Sequence, residues 1–243
     1  MKDLTDVNIY YINLDSLQDR KKKFEEQPAL AAMPPVHRIS GVVGASLETF
    51  KNKDIGVLTR VQVLTEYRRS HYEIHSKGAL GASLSHIKAW KTFLDSKAEY
   101  ALILEDDVEL PATFAMMVKD AAIQLPSEWG VWTIGWWGKS YNHKLTKDLP
   151  GTSFKKVIHF IGAHCYIVTR KAAKILLDEA LPIETHIEHY ISNVALLHKF
   201  SVVRQPQFHL TQFSNKSSVR KSEGCTTCDV NREHGLQNRA IRM

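Results

Sequence analysis

From Val7 to Leu14 the chain reads VNIYYINL, a short apolar and aromatic run with β-branched residues toward both ends, which predicts a buried strand. It stops at Asn13-Leu14-Asp15-Ser16, where Asp15 or Ser16 can cap a polar helix reaching about Gln27. Pro28, Pro34 and Pro35 close that segment, and His37–Val43 predicts a second strand. Thr49–His75 is charged and weakly periodic, so residues of about 45–76 read as a loop-rich insertion. Further on, Leu80, Leu84, Ile87 and Leu94 recur at helical spacing, Trp90 widens the stripe, and Lys88 and Lys91 face away. The pattern predicts a helix from Ala82 to about Lys97, introduced by Gly78-Ala79-Leu80-Gly81. Tyr100–Leu104 is a five-residue apolar strand running into Glu105-Asp106-Asp107. A helix over Ala112–Leu125, strands at Val131–Ile134 and Cys165–Val168, and helices over Arg170–Ala180 and His186–His198 complete the series. Strands alternating with helices predict an α/β fold with a mostly parallel central sheet and helices on both faces. No repeat or low-complexity linker interrupts it, so residues 1–243 read as a single domain.

Composition removes several classes. With 44% hydrophobic and 24% charged residues, the chain lacks the bias of disordered, collagen-like or coiled-coil proteins. Its best apolar run, Ile158–Val168, carries two histidines and is far short of the roughly 20 residues that span a bilayer. Asp3 and Asp6 precede Val7 where a secretory signal would be basic, and three cysteines are too few for a disulfide framework. A cytoplasmic protein is the expectation. Charge is uneven: from Lys199 onward there are eight basic residues against three acidic, five of the net +6. A basic tail from about residue 199 suits an anionic partner such as a nucleotide diphosphate or a phosphorylated lipid head group, and is equally compatible with a solvated tail.

The strongest chemical feature is Glu105-Asp106-Asp107, placed at the carboxyl end of a strand, where open α/β sheets take their ligands. In an extended chain Glu105 and Asp107 project to one side and Asp106 to the other. Hard oxygen donors on one side, beside a phosphate, suit Mg²⁺ or Mn²⁺. Three adjacent acids need a cation or several donors nearby. They also argue against a nucleic-acid partner, whose phosphates they would repel; helix capping or a solvated loop are the plainer uses of such a cluster. Gly78 and Gly81 ahead of Ser85 and His86 fit a helix start whose free N–H groups can bind phosphate, and equally an ordinary helix start. His71/His75, His186/His189 and Cys225/Cys228, the last with His209 or His234, have spacings compatible with metal but lack a complete ligand set. Trp129 and Trp132 suit packing, whereas Trp136-Trp137-Gly138 at a strand end, with Tyr141 nearby, suits stacking on a sugar ring.

Taken in order, these blocks resemble glycosyltransferase family 25, which includes bacterial lipooligosaccharide and collagen galactosyltransferases. Tyr11-Ile12-Asn13-Leu14-Asp15 with Asp19-Arg20 resembles its opening strand and turn. Gly78 to His86 with Trp90-Lys91 resembles its glycine-to-LSH helix, and Leu102 to Val108 its acidic block. Phe160-Ile161-Gly162, Tyr166 to Ala172 and Ile187 to Ile191 resemble three later blocks. The resemblance implies a GT-A-like Rossmann-type sandwich, a UDP-sugar donor (usually UDP-galactose) and Mn²⁺ or Mg²⁺. It implies Asp107 as metal ligand, with Glu105 or Asp106 on metal-bound water or ribose, and Glu105 as a possible second ligand. Asn13, Leu14 and Arg20 would border the nucleotide, Ser85 and His86 the donor pocket, and His209 would complete the metal shell. An inverting transferase needs a base: Glu188 stands at the position of the family's aspartate, and Glu184 is the alternative. Glutamate for aspartate at 188 and Ala79-Leu80 in place of the usual acid are departures. The expected activity is transfer of a hexose, galactose or glucose, to a glycan or lipid-linked oligosaccharide acceptor in lipopolysaccharide biosynthesis. Membrane contact would be at most peripheral, through the basic tail. The alternative is a degenerate, non-catalytic nucleotide-sugar or glycan binder.

Overall fold

A computed structural model describes residues 1–70, 72–136 and 146–213. Its elements, in chain order, are β1 (Val7–Asn13), α1 (Gln18–Glu25), β2 (Val36–Ser40), α2 (Val57–Thr65), α3 (Lys77–Leu94), β3 (Tyr100–Glu105) and α4 (Phe114–Ala122). β4 (Trp129–Gly135), β5 (Thr146–Asp148), β6 (Lys155–Val157), β7 (Cys165–Thr169), α5 (Arg170–Asp178), α6 (Ile187–Leu197) and β8 (Ser201–Arg204) follow. Among the described residues the eight strands form one sheet in the order β2-β1-β3-β7-β4-β8-β6-β5.

The alternation of side chains along each strand sorts the core into two layers. Ile9, Tyr11, Leu102, Leu104, Trp132 and Ile167 pack on one face with Phe24 of α1 and Phe114 and Val118 of α4. Tyr10, Ala101, Ile103, Val131, Tyr166 and Val168 pack on the other with Trp90 and Phe93 of α3, Leu176 of α5 and Ile191 of α6. Helices therefore cover both faces, as expected. The crossover from β1 to β2 passes over one face and that from β2 to β3 over the other, so the connections diverge between β1 and β3. That crevice is where an open α/β sheet binds its ligand.

The expectation of a mostly parallel sheet needs correction. β1 pairs in parallel with β2 and β3, and β4 with β8, but β7 runs antiparallel to both β3 and β4, as β6 does to β5 and β8. The sheet is mixed. Antiparallel neighbours need no crossover helix, and the chain forms none among the described residues between β4 and β7.

Three other expectations change. The stretch of about 45–76 contains α2 and is bound down through Ile55, Val63 and Ile74, which cluster with Ala79, Leu80 and Ile183. The chain after residue 199 does not begin as a tail: β8 lies inside the sheet and Phe208 and Leu210 are buried, while residues 214–243 lie outside the described residues. Finally, α3 starts at Lys77, capped by Ser76, whose hydroxyl accepts from Ala79 N, so Gly78 and Gly81 lie inside the helix rather than ahead of it.

Gly81 is there for contact. A Cβ on it would stand 2.6 Å from Val42 O and 2.8 Å from Gly44 N, both backbone atoms of the loop after β2. Two opposed effects follow for Gly81→Ala: better intrinsic helix propensity, about 1 kcal/mol, and overpacking against rigid backbone, about 1–3 kcal/mol. The clash should win, lowering the melting temperature by roughly 2–8 °C in thermal denaturation; an unchanged or raised value would show that the loop yields freely.

Candidate functional site

Several chain segments meet at the carboxyl edge of the central strands. β1 ends on Asn13; β3 ends on Glu105 and turns at once, Val108 N donating to Glu105 O at 3.2 Å. Residues 205–213 return from β8 across the same edge, Leu210 bridging Gly135 and Gln212 bridging Val108. Glu109 N donates to Thr211 O at 2.9 Å and Phe213 N to Asp107 O at 2.8 Å, tying the returning segment to the acidic turn. Because β7 runs antiparallel, its first residues also sit at this edge, where His164 O accepts from Glu105 N at 2.9 Å.

The side chains converge in the same way. Asn13 Nδ2 donates to Asp106 Oδ2 at 2.7 Å, and Arg38 holds Asn13 in turn, its Nε donating to Asn13 Oδ1 at 2.9 Å. The Arg20 guanidinium, reaching over from α1, pairs with both Asp106 and Asp107. Gln212 Nε2 donates to Glu105 Oε2 at 3.1 Å and to Asp107 Oδ1 at 2.5 Å. From the opposite face, His86 Nε2 lies 3.5 Å from Glu105 Oε1. So Glu105 and Asp107 do share a neighbour, as an extended chain predicts. Asp106 and Asp107 share one too, because the chain turns instead of continuing as strand.

Burial and like charge decide the protonation of this cluster. Asp106 and Asp107 are each 5% exposed. Burial pushes the Asp107 carboxyl up, the charge on Glu105 adds to it, and Arg20 offsets only part, leaving it at about 7. Burial also raises Asp106, against Arg20 and the Asn13 hydrogen bond. For Glu105 burial works the same way, but the His86 contact and nearby positive charge outweigh it and hold that carboxyl below its ordinary value. The surroundings thus favour the ionised form of Glu105, while Asp107 holds its proton to about pH 7.

Could a divalent ion be held here? Among the described residues no three His, Cys, Asp or Glu side chains are placed as a ready metal cage. The donor chemistry nevertheless fits. Glu105 and Asp107 present hard oxygens, Gln212 Oε1 is a buried carbonyl oxygen with no hydrogen-bond partner, and the Arg20 guanidinium pairs with Asp106 and Asp107 but not with Glu105. Hard oxygen donors with surplus negative charge are what Mg²⁺ or Mn²⁺ requires.

The remaining expected residues fall in different places. Leu14 follows β1, half-buried. Ser85 is buried, and its hydroxyl donates to Gly81 O at 2.7 Å and accepts from Val42 N at 2.8 Å, bracing α3 against the loop after β2. His209 stacks against Trp136 with ring centroids 4.2 Å apart, its Nε2 2.8 Å from Trp136 O, and it completes no metal cage with Asp107 and Glu105. Glu184 is exposed beside Gly56, and Glu188 is half-buried in the first turn of α6. Neither glutamate contacts the three carboxylates. Chain direction still returns them to this edge: β7 descends from it, α5 climbs back, and α6 starts there. His186 and His189, with ring centroids 6.3 Å apart, gather with Tyr72 and His159. His71, Trp137, Gly138, Tyr141, Cys225, Cys228 and His234 lie outside the described residues. Sequence reading assigned no site role to Gln212 or Arg38, for which no local pattern exists.

An acidic cluster at the switch point of an open α/β sheet defines a protein whose ligand lies across the carboxyl ends of its strands. The chain belongs to Glycosyltransferase family 25 (LPS biosynthesis protein), whose model matches residues 6–191, and it is accordingly a glycosyltransferase. Among solved structures it is similar to a glycosyltransferase involved in glycosylation of the major capsid of PBCV-1, at 14% identity and a TM-score of 0.34, over 72% of this chain and 67% of that one. It is also similar to CMP:2-keto-3-deoxy-manno-octonic acid synthetase complexed with CTP, at 8% identity and a TM-score of 0.40, over 96% and 99% of the two chains.

The raised Asp107 carboxyl has a signed consequence. In the folded, metal-free protein it keeps its proton to about pH 7, whereas unfolded it releases it near its ordinary 3.8. Folded stability contributed by this group is present at low pH and is lost as pH rises through that window. Asp107→Asn carries no such loss. Measured by denaturant unfolding in chelator, the variant should gain on the parent protein between about pH 4 and pH 7.5, by on the order of 2–4 kcal/mol; a difference independent of pH would refute the assignment.

Proposed function

We propose that this protein is a metal-dependent, inverting glycosyltransferase with a GT-A-like fold. It moves a hexose, galactose or glucose, from a UDP-sugar to a glycan or lipid-linked oligosaccharide acceptor. The single observation that carries the reading is the buried acidic turn at the β1/β3 switch point of a family-25 chain. Glu105, Asp107 and the carbonyl of Gln212 would hold Mn²⁺ or Mg²⁺, which when bound neutralises the negative charge growing on the leaving diphosphate. Asn13, fixed by Arg38, and Asp106 present polar groups to the nucleoside, and Arg20 keeps the two aspartates in place. At the acceptor, Glu188, or Glu184 on the preceding loop, takes the hydroxyl proton as the oxygen bonds the anomeric carbon and the bond to the UDP oxygen breaks. Water must be kept from that carbon, and Trp136 at the end of β4, buried against His209, offers an apolar wall.

No helix among the described residues is long and apolar enough to cross a membrane. We place the reaction in the cytoplasm, with the basic residues beyond 213 facing phosphorylated head groups of a lipid-linked acceptor.

UDP together with Mn²⁺ should raise the melting temperature of the full chain, and Asp107→Asn should abolish that rise; absence of any UDP-dependent shift, with or without metal, overturns the proposal. UDP binding without release of UDP from UDP-galactose or UDP-glucose would identify a non-catalytic binder instead. For the base, Glu188→Gln should lower turnover by roughly 10²–10⁴ with nearly unchanged donor affinity. Undiminished turnover would move the role to Glu184.

A further inference from the structure

We propose that Trp90 and Tyr166 are positioning residues for the acidic edge. A one-way hydrogen-bond chain, Trp90 to Tyr166 to His86, fixes which ring nitrogen of His86 faces Glu105, 3.5 Å away, and thereby orients that carboxylate.

Direction follows from donor chemistry. The Trp90 indole N–H can only donate, and it does so to the Tyr166 hydroxyl at 2.9 Å. That hydroxyl is fully buried, and burial pushes it well above its ordinary value, so it keeps its proton. Among the described residues its other hydrogen-bonding neighbour is His86 Nδ1, also at 2.9 Å. If Nδ1 carried a hydrogen, the phenol would face two donors and its own proton would have no acceptor inside a dry core. Nδ1 is therefore the acceptor, and Nε2 carries the hydrogen that faces Glu105 Oε1 at 3.5 Å. A tautomer set by the partner of the opposite ring nitrogen is a general property of histidine.

Placement supports this role. His86 and Trp90 are one helical turn apart on α3 and face the same side. Tyr166 lies opposite Ile103 in the β3/β7 register, two residues before Glu105. Glu105 is also the member of the acidic turn that packing holds least: its side chain is 33% exposed, against 7% for Asp106 and 6% for Asp107. With Oε2 on the Gln212 amide and Oε1 facing His86, its orientation depends on polar neighbours, and only the His86 side is backed by a buried chain.

The histidine assignment stands independently; its effect on donor binding rests on the proposed function. The test uses the full chain labelled with ¹⁵N-histidine, with the His86 signals assigned by their loss in His86→Gln. At neutral pH the parent protein should show a protonated Nε2 and an unprotonated Nδ1; a protonated Nδ1 overturns the chain without any variant. In Tyr166→Phe the ring nitrogens should move toward a mixture of tautomers, and UDP measured with Mn²⁺ should bind 3–10-fold more weakly. If that variant does not fold, Trp90→Phe takes its place, with 2–3-fold weaker binding expected. A folded variant with unchanged nitrogen signals and unchanged affinity overturns the positioning role. Should UDP fail to bind the parent protein, the transferase reading falls while the nitrogen spectrum still decides the chain.

Discussion

Three carboxylates in succession at the end of a buried strand repel one another, and the structure around them is organised by that repulsion. A buried charge without a partner is costly enough that it neutralises or finds one. Here the partners come from distant parts of the chain: Asn13 from β1, Arg20 from α1, His86 from α3 and Gln212 from the segment after β8. Each compensation joins residues far apart in the chain, so the acidic turn ties together segments that the sheet and the core also hold. Lys23 of α1, stacked 3.9 Å over the Phe213 ring, adds a further tie between the first helix and the returning chain.

The reversed strand β7 matters for the same reason. Had it run parallel, its first residue would lie at the far edge of the sheet. Reversal brings His164 beside Glu105 and leaves Tyr166 within reach of α3. Strand direction is not written in the apolar pattern CYIVT, which is buried on both faces in either direction. It can be read only from the connection, since a parallel return requires a crossover of a dozen or more residues, usually helical, and no helical periodicity lies between Ile134 and Cys165.

What the sequence discloses and what it hides divides along physical lines. β1 and β3 are legible as short apolar runs, α3 because burial of one face imposes a helical period on it, and the acidic turn because its residues are contiguous. Asn13 and Arg20 are legible because they lie within seven residues of each other beside the first strand. α2 defeats the same logic: Val57, Leu58, Val61 and Leu64 are exposed while Thr59 and Gln62 are buried beside Val63, so no apolar stripe marks the inward face. β5 and β6 are three residues long and largely polar, too short to show alternation. β8 was hidden by Arg204, which is buried with its guanidinium over the Trp136 ring. Gln212 reaches the site through tertiary structure alone, and no spacing along the chain could announce it.

Charge balance then links the site to its chemistry. Arg20 supplies one positive charge to two aspartates, and Glu105 has the His86 ring beside it. Asn13 and Gln212 give dipoles, which soften repulsion without cancelling it. The deficit appears as the proton that Asp107 retains to about pH 7. A proton and a cation are two ways of answering the same shortage; a proton on Asp107 leaves the buried Gln212 carbonyl oxygen without a partner, whereas the proposed metal ion would use it. With three carboxylates and the one guanidinium of Arg20, the fully ionised edge is short of positive charge, and that is the shortage the proposed Mn²⁺ or Mg²⁺ would answer.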